Sequence, residues 1–203
     1  GWRRKAADVF SLARKYFSGI ERSVIEPPKP RPEIEQNGER RISLYGNTAS
    51  PYLLMGYKAP VLLDEGADQK EIYALDVLSG ILDGGQSARI SKNMLRGKEI
   101  AVEAGTSYDP FDRLTGLFIF AAVPNKDVEP EQLEQAFKKE INELQQNLVT
   151  AEELERVKAQ VIAGKVYGRD SMFNLGMQIG MLDSVGLDWR LLDAYVDEIR
   201  SIS

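Results

Sequence analysis

Histidine and cysteine are both missing from the 203 residues of this chain, and each absence removes a class of chemistry. Without imidazole there is no Ser-His-Asp or Cys-His arrangement and no ordinary zinc site, so neither nucleophilic nor metal-assisted hydrolysis can be assembled from this chain alone. Without a thiol there is no disulfide and no cysteine nucleophile; the compartment stays open, because cytosolic and periplasmic proteins can both do without cysteine. Positive charge is in deficit. The 26 Lys and Arg against 31 Asp and Glu leave a net charge of -5, which offers no basic footprint for nucleic acid. No apolar run reaches the roughly 18 residues that a membrane-spanning helix needs.

What is present is a globular composition, with 43% hydrophobic residues available for a core. Trp2 to Phe17 reads as an amphipathic helix closed by Ser18-Gly19. Ile25 to Glu33 is dense in proline, which favours an extended, semi-rigid spacer. Arg40–Tyr45 and Pro51–Tyr57 read as two strands around a polar loop, and the continuous apolar character of Tyr52–Tyr57 predicts burial on both faces. Gln69 to Leu82 is helical by its apolar spacing. Ile100–Tyr108 and Leu114–Val123 are strands joined at Asp109 to Arg113, the second apolar on both faces and therefore central. Pro130 opens a helix to about Leu148, Thr150 to Glu153 is a capping box for the next, Asp170-Ser171 starts a further one, and Trp189–Ile202 forms the last. Position 1 is not Met and the last helix has no stop signal, so a longer parent polypeptide is expected. The element order predicts an α+β fold of two layers, a mostly antiparallel sheet covered on one face by helices.

Between the first long helix and the strand at Ile100 lies Leu78-Ser-Gly-Ile-Leu-Asp-Gly-Gly-Gln-Ser-Ala-Arg-Ile-Ser-Lys-Asn-Met-Leu-Arg96, an apolar helix that stops at a double glycine and restarts at Ser87. Gly84-Gly85 fits neither G-x-G-x-x-G nor a Walker loop, so a helix C-cap accounts for it better than a phosphate cradle does. Arg89 and Arg96 sit two helical turns apart. By sequence alone either is an ordinary ion-paired arginine, Arg89 with Asp83, Asp109 or Asp112 as candidate partners, or else a forked donor for a carbonyl or oxyanion. Glu152-Glu153 and Asp64-Glu65 are expected to be solvated carboxylates with ordinary acidity. Met172, Met177 and Met181 form a helical stripe that is expected to fill core.

The Gly-Gly turn, the Leu95-Arg96 pair, the apolar strands, the capped helix at Thr150 and the Val166-Tyr-Gly-Arg-Asp-Ser171 segment, in this order, resemble the insulinase or pitrilysin-type zinc peptidases. These are the inverted zincins, among them mitochondrial processing peptidase and the core proteins of respiratory complexes. The resemblance implies a processing-peptidase-like half-domain. It also implies that residues 1–19 are the C-terminal helix of an upstream zinc-type domain, 20–36 a proline-rich linker, and 37–203 the C-terminal domain, truncated at its end. The family's H-x-x-E-H zinc helix is not in this chain. The implied cofactor set is therefore none here, with zinc in the upstream half or in a partner subunit. The implied partners are that zinc-bearing half and a peptide substrate, and a bacterial periplasmic location is what similar proteins suggest. In active members the C-terminal half contributes an arginine and a tyrosine that touch substrate. Arg96 falls on the arginine, Val102 falls where the tyrosine should be, and Tyr108, further along the strand, is the candidate replacement. The expected substrate-binding set is Arg96, Tyr108 and Arg89, with no catalytic residue. A non-catalytic assembly domain of the same fold is the alternative, and an unrelated ligand-binding module a more distant one.

Overall fold

The structure is a computed structural model and describes residues 5–24, 29 and 34–203. Apart from Lys29, the proline run expected to form the spacer lies outside the described residues. Two compact units are present, residues 1–45 and 46–203.

In the first unit, helix α1 (Ala6–Phe17) is amphipathic as expected and buries none of its side chains. The predicted strand at Arg40–Tyr45 does not form, and Ile42, Leu44 and Tyr45 are exposed. A strand is stabilised by its ladder and its cross-strand neighbours, and among the described residues this segment is offered no partner.

The second unit holds a three-stranded antiparallel sheet of β1 (Leu53–Ala59), β2 (Ala101–Ser107) and β3 (Gly116–Pro124), in the order β1-β3-β2. The central place of β3 follows from its sequence. Phe118, Phe120 and Ala122 point to a buried face, while Leu117, Ile119 and Ala121 give the other face enough apolar surface to tolerate partial cover. β1 does not match the expectation of burial on both faces. It is an edge strand whose Leu54 is exposed, because helices cover only one side of the sheet.

The helices of this unit are α2 (Gln69–Asp83), α3 (Pro130–Gln146), α4 (Ala151–Gly168), α5 (Met172–Val185) and α6 (Leu191–Ser201), with a π-helical segment at Ser91–Gly97. Their starts are chemically marked. Asp68 accepts from the Lys70 N–H, Thr150 from the Glu153 N–H and Ser171 from the Asn174 N–H, and Glu129 with Gln132 closes a capping box before Pro130. One core lies between sheet and helices and contains Phe118, Phe120, Leu82, Ile90, Met94, Leu133 and Phe137. A second joins α2, α4, α5 and α6 through Tyr73, Val77, Val157, Leu182, Tyr195 and Ile199. Both cores need α2, which is apolar on the sheet side and on the helix side.

Candidate functional site

Two glycines end α2 for different reasons. The Gly84 N–H closes on the Gly80 carbonyl at 2.7 Å, and a Cβ at Gly84 would lie 2.3 Å from that carbonyl oxygen. Gly85 adopts φ of 111°, the left-handed side that side chains avoid. The chain then re-enters the core through Ala88, Ile90 and Met94, all buried.

The turn is bound to α4 by two arginines running in opposite directions. Arg89 forks onto Glu153, and Arg156 of α4 donates to the Ser87 hydroxyl at 3.0 Å. The Arg89 partner is thus Glu153 rather than Asp83, Asp109 or Asp112. The pairing holds the Glu153 carboxyl below its ordinary range through the arginine hydrogen bond, so Glu153 is not a freely solvated acid. Asn93 reaches the buried Glu140 carboxylate at 2.9 Å.

Arg96 sits differently. Its Nη2 donates to the Gln86 carbonyl, and the side chain is exposed. Among the described residues no carboxylate pairs with it, so its charge remains directed to solvent. Arg96 lies in the π-helical segment, with i→i+5 closure such as Lys98 N–H to Asn93 O, and Arg89 precedes it; the two arginines take different partners, the Gln86 carbonyl and the Glu153 carboxylate. A Cβ at Gly97 would lie 2.7 Å from the Lys92 carbonyl oxygen, which explains the small residue after Arg96.

The connection to β2 is fixed at every step. Glu99 has a left-handed φ of 52°, its carbonyl accepts from the Asn125 amide at 2.8 Å, and the Ile100 N–H reaches the Met94 carbonyl at 3.0 Å. A bulge follows. Ala101 pairs with Pro124 and Glu103 with Val123, which leaves Val102 as the extra residue, 62% exposed. Bulges re-aim a side chain, and they recur beside binding sites.

The same bulge breaks the period-two relation that would have placed Val102 and Tyr108 alike. Tyr108 is half-buried and stacks on Phe118 at 5.9 Å, and its hydroxyl donates to the Pro60 carbonyl at 2.6 Å. Burial and the nearby carboxylates, Asp76 first, push its phenol up. No hydrogen bond or ion pair joins Arg96, Tyr108 and Arg89 to one another. Arg96 and Val102 face solvent, Arg89 fastens the turn, and Tyr108 braces the loop before α2.

Two further acidic side chains, Asp83 and Asp76, are tied into the scaffold. Asp83, at the end of α2, accepts from the Thr106 N–H on the outer edge of β2 at 3.1 Å, and burial raises its carboxyl. Asp76 accepts from the Tyr195 hydroxyl at 2.5 Å. Burial raises Asp76 too, against the lowering effects of that hydrogen bond and of Lys165. Lys165 lies over the rings of Phe111 and Tyr195, at 5.3 and 5.0 Å. Asp112 is raised by burial and by Asp109. The one sequence signal for this network was an isolated glycine within a strand, Gly105, which marks a close approach.

Among the described residues no group of three or more Asp, Glu, His or Cys could hold a metal ion, and no helix is long and apolar enough to cross a membrane. The arrangement around Arg96 can hold an acceptor group.

Comparison with known proteins identifies the family. The family model described as the peptidase M16 inactive domain matches residues 5–161. The zinc protease PqqE of Helicobacter pylori is 27% identical over 154 residues, covering 74% of this chain and 33% of that protein, so the chain spans about a third of the curated relative's length. The crystal structure of a protease from Helicobacter pylori superposes with a TM-score of 0.84 at 21% identity, over 98% of this chain and 48% of the other. A peptidase M16 inactive domain from Pseudomonas fluorescens superposes with a TM-score of 0.60 at 17% identity, over 75% of this chain and 34% of the other.

Proposed function

This chain belongs to the peptidase M16 inactive domain family, and from that premise we propose that it is the non-zinc half of a zinc peptidase, forming the wall opposite the zinc half and helping to hold the peptide there. Residues 1–19 then belong to the end of the zinc half, 20–36 to the linker and 37–203 to this domain. Zinc, when bound by the other half, supplies the Lewis acid and the activated water; this chain supplies positioning.

The observation that carries the reading is the exposed, unneutralised Arg96, held by the Gln86 carbonyl at the entry to β2. A guanidinium fixed at one arm keeps further donors in a rigid fork, suited to the carbonyl of an extended peptide or to its terminal carboxylate. Val102, exposed at the bulge six residues on, presents an apolar side chain to solvent. A second reading, an assembly domain without a part in catalysis, is favoured by one feature: the residue at the bulge is valine and has no hydroxyl to offer.

Zinc content and peptide hydrolysis of the whole polypeptide, with and without chelator, test the proposal. Bound zinc with chelator-sensitive cleavage is the expected result. No zinc, no cleavage and no zinc-bearing protein co-purifying would replace it with the assembly reading.

A further inference from the structure

The turn that carries Arg96 gathers positive charge in a chain that is acidic as a whole. Residues 84–98 hold four cations, Arg89, Lys92, Arg96 and Lys98, and no Asp or Glu, against a net charge of -5 for the full sequence. A fifth cation arrives from α4. Arg156 donates through Nη1 to the Ser87 hydroxyl at 3.0 Å, and Arg96 donates through Nη2 to the carbonyl of Gln86, the residue before it. Two guanidinium groups from separate elements therefore end on adjacent residues of one turn. Gln86 and Ser87 are both exposed, so the space between the two groups is open to a ligand.

Among the described residues neither arginine has an ionic partner. Glu153 is within the field of Arg89 first, then of Arg156 and Lys92, but Arg89 occupies both of its oxygens, Oε1 through Nε and Oε2 through Nη2. Glu155 is taken by Lys158 at 2.8 Å. Glu152 stands one turn before Arg156 on α4, a spacing at which ion pairs form readily, yet Arg156 takes a neutral hydroxyl instead. Each arginine is thus fixed by one arm on a neutral oxygen and keeps its other N–H groups in a rigid fork. Like charges brought together without an anion repel, and paired arginines of this kind are how proteins recognise acidic groups.

We propose that Arg96 and Arg156 form a two-armed clamp for a carboxylate of the bound peptide, on an acidic side chain or at its C-terminus. The clamp rests on the peptide-holding reading above. It adds to that reading a second positioning residue, Arg156, and a substrate class, peptides that present a negative charge to the double-glycine turn.

Fluorescence anisotropy of the whole polypeptide, with chelator present to prevent cleavage, is the test. The probes are short labelled peptides with amidated C-termini and one Glu moved along the sequence, the same peptides with Gln in its place, and the Gln peptides with a free C-terminus. One Glu position, or the free C-terminus, should lower Kd about 10-fold against the neutral peptide, the scale of a charged hydrogen bond, and the difference should shrink as salt is raised. Which of the two probes gains identifies the source of the carboxylate. Arg96→Gln and Arg156→Gln should each bring charged and neutral peptides close together, and Arg156→Lys, which keeps the charge, should retain part of the preference. A purely structural Arg156 would instead weaken charged and neutral peptides alike. Equal affinity for charged and neutral peptides, in a polypeptide that binds both, overturns the clamp and leaves the peptide-holding reading in place. A preference that survives Arg156→Gln overturns the pairing of the two arginines. A polypeptide that binds none of the peptides overturns the clamp and the peptide-holding reading together.

Discussion

Arg89 and Glu153, 64 positions apart in sequence, close a forked ion pair: Nε donates to Oε1 at 3.1 Å and Nη2 to Oε2 at 2.7 Å. Both side chains are about four-fifths covered, at 20% and 18% exposure. Glu153 is therefore bound twice. Its backbone N–H is taken by the Thr150 cap, and its carboxylate holds the double-glycine turn against α4. The turn that presents Arg96 is steady because this pair anchors its far side.

Removing one partner should cost more than removing both. Arg89→Leu leaves a covered carboxylate uncompensated and should lower unfolding stability by about 2–3 kcal/mol. Arg89→Leu with Glu153→Leu should recover at least half of that loss in urea unfolding. Additive losses would show that the fork contributes no coupling.

Acid should act on two groups in opposite directions. The Glu153 carboxyl is lowered by Arg89, so its stabilisation is present above its ordinary value of 4.5 and fades as pH falls through the lower folded value. Asp76 is raised, chiefly by burial, so its favourable contribution is complete below its ordinary value of 3.8 and is lost as pH climbs through the raised folded value. Asp76→Asn keeps an acceptor for the Tyr195 hydroxyl and removes the buried charge. It should stabilise the domain at neutral pH and flatten the pH profile of the melting temperature above about pH 4. A profile parallel to that of the wild type would show that Asp76 does not titrate differently on folding.

Gly105 should resist substitution because of a carboxylate in another element. A Cβ there would lie 2.4 Å from Asp83 Oδ2, the oxygen that accepts from the Thr106 N–H. Gly105→Ala should therefore destabilise by about 1–3 kcal/mol, and a second change, Asp83→Ala, should remove most of that penalty while leaving the β2 edge uncapped. A double-mutant cycle in denaturant measures the coupling directly.

Turnover in the whole polypeptide tests the Arg96 shoulder. Arg96 is exposed and makes its hydrogen bond to a main-chain carbonyl, so Arg96→Ala should leave the melting temperature within about 2 °C, consistent with an exposed site. It should reduce peptide kcat/KM by about 10-fold or more, the scale of one charged hydrogen bond. Val102→Tyr should raise it. Equal losses of activity and stability in Arg96→Ala would make the residue structural, and no response to Val102→Tyr would show that a phenol at the bulge is not what the site needs.

The α+β order, the central β3 and the starts of α2 to α5 were legible from sequence because each depends on neighbours in the chain: a cap, a proline at the first helical turn, alternation of apolar residues. The family was legible for the same reason, through short motifs in a fixed order. The absence of histidine was enough to take zinc chemistry out of this chain.

Only the tertiary structure could decide pairings and exposure, which depend on residues far apart in sequence. Arg89 pairs with Glu153, 64 positions away, rather than with any of three nearer aspartates, because the fold brings the start of α4 against the turn. Tyr108 resembled Val102 by strand period until the bulge between Ala101 and Glu103 shifted the register and sent its hydroxyl to Pro60. The segment Arg40–Tyr45 has strand-like alternation but no neighbour to complete a ladder among the described residues. Met172, Met177 and Met181 have the apolar character of a core, and hydrophobicity states what a side chain gains from cover, whereas the packing of α5 against only one neighbouring layer determines whether this chain supplies that cover.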